Sequence, residues 1–119
     1  MFGKIQPISH NYCGYQFGVW AGQLGDGRAH TLGSTSHEGK TYELQLKGSG
    51  VTPFARRADG NSVLSSALRE FLASELMAGL GIPTSRAVSL VVADEPVKRD
   101  PLYNGNITFE NASIVLRTC

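Results

Sequence analysis

Lys47, Glu70 and the glycine-rich run Gly25-Asp26-Gly27-Arg28 are the residues of this 119-residue chain whose types and spacing could do chemistry. A lysine at the end of a strand is a compact charge with three donors, and a helical carboxylate can hold it in place. Successive backbone N–H groups in a glycine turn can cradle phosphate oxygens, and Arg28 adds a permanent charge with bidentate reach. Such a set would handle a polyphosphate. Each part also has a plainer reading. A Gly-x-Gly is most often an ordinary hairpin turn. Glu70 could pair with Arg69 or Arg86 at the surface or stay solvated, and Asp59-Gly60, which leads toward the helix, has an ordinary role in turn and cap chemistry. Arg56-Arg57 is by default a solvated pair.

These residues depend on two elements for their placement. Tyr42-Glu43-Leu44-Gln45-Leu46-Lys47 alternates, so Tyr42, Leu44 and Leu46 share one face and Glu43, Gln45 and Lys47 the other. Lys47 therefore points away from the leucines. From Ser62 to Leu80 apolar residues recur at helical spacing, and the run closes on Gly79-Leu80-Gly81 with Pro83 beyond, which predicts a helix over about 62–80. Asp59, Asn61 and Ser62 are its N-cap candidates. Glu70 has small or apolar helical neighbours, so it sits at the edge of the buried face and needs a cation, for which Lys47 is the candidate.

Around that centre, residues 1–22 mix Tyr12, Tyr15, Phe17 and Trp20 with glycines, a pattern of loop or short strand pressed on a core, with Trp20 packing there. Thr31-Leu32-Gly33 reads as a short strand, Ser34 to Lys40 as a polar turn, Ala87 to Val92 as a buried strand, Asp94 to Pro101 as an exposed polar connection, and Ala112 to Arg117 as a last strand. The order of elements is that of an α+β domain, one helix on an antiparallel sheet.

Composition narrows the function classes. The formal charge of +1 offers no basis for nucleic-acid binding, and no run of about 18 apolar residues exists to span a membrane. The N-terminus has neither a signal-peptide core nor a transit-type segment. Cys13 and Cys119 stand far apart without metal-ligand spacing and are expected to be reduced thiols, and His10, His30 and His37 are scattered.

A lysine on a strand, a glycine turn before it and a helical glutamate after it is also the arrangement of a protein-kinase N-lobe. At this point a nucleotide site and a non-catalytic α+β module both stand. The runs Trp20-Ala21-Gly22-Gln23-Leu24-Gly25-Asp26-Gly27-Arg28, Glu43-Leu44-Gln45-Leu46-Lys47-Gly48, Thr52 to Gly60 and Arg69-Glu70-Phe71-Leu72-Ala73-Ser74-Glu75 closely resemble the selenoprotein O family of pseudokinase-like protein adenylyltransferases. The resemblance implies a kinase-like fold binding ATP in a flipped orientation, with AMP passing to Ser, Thr or Tyr hydroxyls of protein substrates (AMPylation). It implies nucleotide contacts at Gly25, Gly27, Arg28, Lys47, Asp59, Gly60 and Arg117, with Glu70 as the ion-pair support of Lys47. The family's catalytic base and Mg²⁺ ligands match nothing up to Cys119. Residues 1–119 are thus expected to be a partial kinase-like domain, an N-lobe that needs a C-terminal lobe, with no catalytic or metal residue of its own and little activity alone. A non-catalytic nucleotide-binding or structural module is the alternative. Residence would be mitochondrial for a eukaryotic member and cytoplasmic otherwise.

Overall fold

The computed structural model describes residues 6–119; the reading of the N-terminus and part of that of residues 1–22 lie outside the described residues. Two antiparallel sheets and one helix make an α+β fold consistent with a kinase-like N-lobe. Strands β1 (Cys13–Gln16) and β2 (Val19–Gln23) form a hairpin of their own. The main sheet holds β3 (Ala29–His37), β4 (Lys40–Lys47), β5 (Ser62–Val63), β6 (Arg86–Arg99) and β7 (Thr108–Thr118), with α1 (Leu64–Gly79) between β5 and β6. Strand β7 organises the sheet: β6 runs along its whole length, while β4 pairs with residues 115–118 and β5 with 112–113.

The expected alternation in β4 holds, yet the most deeply buried residue of the strand is a polar one. Gln45 is buried and Leu44 and Leu46 only half-buried, because Gln45 stands between Thr31 of β3 and Arg117 of β7, and the cation of Lys47 next to it is met by a carboxylate of α1. The helix lies on the sheet through small residues, Ala67 and Ser74, which let the two backbones approach closely. Leu68, Leu72 and Leu76, four residues apart, form an exposed stripe. Fully buried apolar residues are few and small, with Val63, Val97 and Ala112 clustering under the N-terminal turn of α1.

Several element boundaries differ from the sequence expectation. The helix begins at Leu64, since Ser62 and Val63 join β7 as a short strand. None of the expected caps serves: the N-cap is Val63, and Glu110 of β7 accepts hydrogen bonds from the Ser65 N–H and hydroxyl instead. The C-terminus follows expectation. Gly81 (φ +74°) donates its N–H to the Ala78 carbonyl and Ile82 to Met77, the paired bonds of a Schellman motif. Strand β3 continues through His37, leaving a two-residue turn of Glu38 (φ 50°) and Gly39 (φ 76°), both in the left-handed region as a type I′ hairpin requires.

Asp94 to Arg99, read as connection, are strand. Pro96 is accommodated because the β6–β7 register shifts between Val92 and Pro96, a bulge where a missing N–H does no harm. The segment read as a buried strand is largely exposed at Val88, Val91 and Val92. Trp20 and Tyr15 meet edge to face, with ring centroids 5.1 Å apart, on an exposed hairpin and not against the core. Cys13 and Cys119 are exposed free thiols, and no described helix is long and apolar enough to cross a membrane.

Candidate functional site

Lys47 and Glu70 meet as the periodicities suggested: the ammonium lies 2.7 Å from Glu70 Oε1. The same oxygen accepts a second hydrogen bond, from Arg117 Nη1 at 2.8 Å. Arg86, weighed as a partner for Glu70, instead forks onto Glu75 with two contacts of 2.8 Å at the surface. Arg117 donates its Nε to Gln45 Oε1 at 2.8 Å and its Nη2 to the same oxygen, and Gln45 Nε2 in turn donates to Thr31 Oγ1 at 3.3 Å. A polar chain thus runs from β3 through β4 and β7 to α1. Its physical reason is register, since Thr31, Gln45 and Arg117 sit opposite one another on adjacent strands.

This network backs a cavity of about 730 Å³, within the range of small-molecule sites. Its lining includes Gly25, Gly27, Arg28, Lys47, Asp59, Gly60 and Arg117, all seven residues that the family resemblance assigned to nucleotide contact. Glu70 stands behind Lys47 and does not line it.

The glycine turn is braced from both sides. Asp26 Oδ2 accepts the His10 N–H at 3.0 Å, the Asp26 N–H donates to the His10 carbonyl at 2.9 Å, and the Thr52 hydroxyl donates to the Asp26 carbonyl. Gly25 (φ +144°) must be glycine, because a Cβ there would stand 2.6 Å from Phe54 Cγ. Beyond Phe54, Arg56 (φ 48°) and Arg57 (φ 71°) are two consecutive non-glycine residues in the left-handed region, strain held at the cavity rim. Arg56 Nη1 is anchored on Gln16 Oε1 at 3.1 Å. Both are exposed, as the solvated reading expects, and both line the cavity.

Asp59 is held by Arg99, whose Nη1 reaches Oδ2 at 2.6 Å and whose Nη2 reaches Oδ1 at 3.1 Å. That guanidinium holds the carboxyl below the ordinary aspartate value; burial opposes the shift and the Asn61 N–H, donating to Oδ1, assists it. Arg99 was not singled out by the sequence. It fell in the stretch read as connection, and the separation of 40 residues from Asp59 gave no local signal. Gln45 was missed because a glutamine on a strand has no distinguishing pattern.

Charge is concentrated here. Six of the eleven Lys and Arg residues line the cavity, against the carboxylates of Asp26 and Asp59, in a chain whose net charge is only +1. Such a wall fits a polyanion. The two lining carboxylates each have a protein partner: Asp26 Oδ2 accepts the His10 N–H and Asp59 is paired with Arg99. Among the described residues no three His, Cys, Asp or Glu side chains converge.

Comparison with known proteins decides the lineage. The family model described as "Protein adenylyltransferase SelO" matches residues 1–119. The chain belongs to the SelO family. Relatives named "Protein nucleotidyltransferase YdiU" come from Bordetella avium (59% identical over 106 residues, 89% of this chain and 20% of the relative). Others come from Nitrosospira multiformis (57% over 115 residues, 96% and 20%) and Tolumonas auensis (55% over 113 residues, 95% and 22%). This SelO-family chain thus spans about a fifth of the length of the curated relatives it matches. The α+β architecture expected from the resemblance is the one observed.

Proposed function

We propose that this chain forms the phosphate-holding wall of a protein adenylyltransferase that takes ATP as its donor. The observation that carries this reading is the convergence of six cationic side chains on one cavity beside a glycine turn, with Lys47 held at 2.7 Å by Glu70. Donor accounting sorts their roles. Lys47 gives one N–H to Glu70 and keeps others for phosphate, and Arg28 gives a single N–H to the Asn61 carbonyl at 3.4 Å. Arg117 gives three to Gln45 and Glu70, so it has two for a ligand.

In the reaction a Ser, Thr or Tyr hydroxyl oxygen of a protein substrate attacks the α-phosphorus. The bond to the α,β-bridging oxygen breaks, diphosphate leaves with that electron pair, and the hydroxyl proton passes to a base. The part of this chain is to bind and orient the phosphates and to offset their charge as it moves onto the leaving group. Mg²⁺, when bound, would supply further charge neutralisation; its ligands and the base would come from other parts of a family-length protein.

The test is ATP binding by this chain and by Lys47→Ala. Loss of one charge-assisted contact of about 1.5–3 kcal/mol predicts at least a tenfold weaker Kd. Indifference to Lys47→Ala would leave a structural module as the better reading. Incorporation of AMP into protein by this chain alone would refute the division of labour proposed for it.

A further inference from the structure

We propose that Arg99 is a positioning residue of the nucleotide site: from the end of β6 it clamps the Asp59–Asn61 turn at the cavity edge and, through the Asn61 carbonyl, fixes Arg28. The proposal rests on the ATP-site reading above. Arg99 Nη1 gives one hydrogen bond to Asp59 Oδ2 at 2.6 Å and one to the Lys98 carbonyl at 2.8 Å; Nη2 gives one to Asp59 Oδ1 at 3.1 Å and one to the Asn61 carbonyl at 3.1 Å. Four of the five guanidinium N–H groups are therefore spent on protein acceptors. Although Arg99 lines the cavity, it has one donor left for an anion, fewer than any other cation of the site whose contacts are described above. It holds the wall and does not serve as a main contact.

What it holds is a turn under constraint on both sides. Gly60 is pressed against the backbone of Gly50 and Val51, and Gly50 donates its N–H to the Gly60 carbonyl at 3.3 Å. The fork of Arg99 on Asp59 holds the turn from β6, a fixed base. Arg99 pairs with Thr108 in the β6–β7 ladder, and the neighbouring Asp100 is occupied in accepting the Asn104 and Gly105 N–H groups at 3.1 and 2.8 Å. The Asn61 carbonyl accepts from both Arg99 and Arg28. Movement of the turn would therefore carry a phosphate-binding arginine with it. Asp59 does more than line the cavity: its carboxylate aims Arg99 and accepts the Asn61 N–H.

The experiment measures ATP affinity of the chain by calorimetry for wild type, Arg99→Ala, Arg99→Lys, Asp59→Asn and the double variant Arg99→Ala/Asp59→Asn. Positioning predicts that each single change weakens binding by about five- to tenfold, less than the at least tenfold loss expected when a direct charged contact is removed, because Arg99 acts through Arg28. Lysine should not rescue, because an ammonium cannot fork, and the double variant should be no worse than the worse single one. A role by charge alone predicts the reverse in two places. Arg99→Lys would bind like wild type, and Asp59→Asn, which removes negative charge from an anion site, would bind ATP more tightly. Either result overturns the proposal.

Amide exchange at Asn61 in the ligand-free chain reads the clamp without ATP; it should rise in Arg99→Ala, and an unchanged rate refutes the clamp. Should Arg99→Ala fail to fold, Asp59→Asn reports on the same contact with Arg99 intact. Lys47→Ala separates the two levels. If it leaves ATP binding unaffected, the site reading falls; if it abolishes binding while the Arg99 and Asp59 variants bind as wild type, only the clamp falls.

Discussion

Gly60→Ala tests the geometry of the cavity edge most directly. The residue has φ +71°, and an added Cβ would stand 2.2 Å from Gly50 C and O and 2.3 Å from Val51 N. All three are backbone atoms, so no side-chain rotation can relieve the contact. Two contributions add. The left-handed backbone costs alanine about 1–2 kcal/mol, and overpacking against a fixed neighbour about 1–3 kcal/mol more. Gly105→Ala isolates the first, because Gly105 has φ +83° with nothing within 4 Å of its Cβ position and also belongs to the main sheet's connections. Urea denaturation of the two variants beside wild type should place Gly105→Ala about 1–2 kcal/mol below wild type and Gly60→Ala about 2–5 kcal/mol below it. The excess belongs to the Gly50 contact, and ATP affinity should fall only in Gly60→Ala. Equal midpoints for the two alanine variants would refute the close approach and with it the constraint on the Asp59–Asn61 turn.

Glu70→Gln should lower stability by about 1–3 kcal/mol, between the values for exposed and buried pairs, because the Glu70 and Lys47 side chains are 31% and 24% exposed and two cations lose one anion; a thermal midpoint unchanged from wild type contradicts the shared ion pair. Acid titration should expose Asp59. Its folded pKa is lowered by Arg99, so its contribution is present above the ordinary aspartate value near about 3.9 and is lost as pH falls through the lower folded value. The stability gap between wild type and Asp59→Asn should hold constant from about pH 7 to pH 5 and close below about pH 4, and a gap that persists into strong acid tells against the pairing. The exposed stripe Leu68, Leu72 and Leu76 should make the chain self-associate, and changing all three to Gln should yield a monomer by light scattering with helix content retained; a monodisperse wild-type monomer refutes this.

Periodicity made the centre of this fold legible. The 2-residue period of β4 and the 3.6-residue period of α1 were enough to aim Lys47 and Glu70 at each other, and the Schellman end of α1 was announced by Gly81 and Pro83. Glycines at 25 and 60 marked close approaches, though not to what. What local pattern could not carry is pairing across distance. Glu110 caps α1 from 45 residues away, in place of any residue before the helix, and Arg99 reaches Asp59 from the far end of a strand that Pro96 hid behind a bulge. The aromatic-glycine run misled because aromatic residues usually signal burial, while Tyr15, Phe17 and Trp20 decorate a hairpin outside the main sheet.

A site with this much positive charge must be held together before a ligand arrives. Coulomb repulsion among six cations would open an unbraced cavity, so the placement of the carboxylates matters more than their number. Glu70 is shared by Lys47 and Arg117, and Asp59 is spent on Arg99; these three cations are the ones fixed to sheet strands. Arg28, Arg56 and Arg57 form no ion pair with a carboxylate among the described residues, and they lie on bends and turns of the lining outside the strands. Charge is thus neutralised where the framework needs rigidity and left unpaired where an incoming polyphosphate would meet it. The strained left-handed backbone of Arg56 and Arg57 fits the same division: it displays two exposed cations at the cavity, of which Arg56 is also tied to Gln16 of β1. That asymmetry links the geometry to the proposed chemistry: the braced cations set the distances, and the unpaired ones supply the attraction.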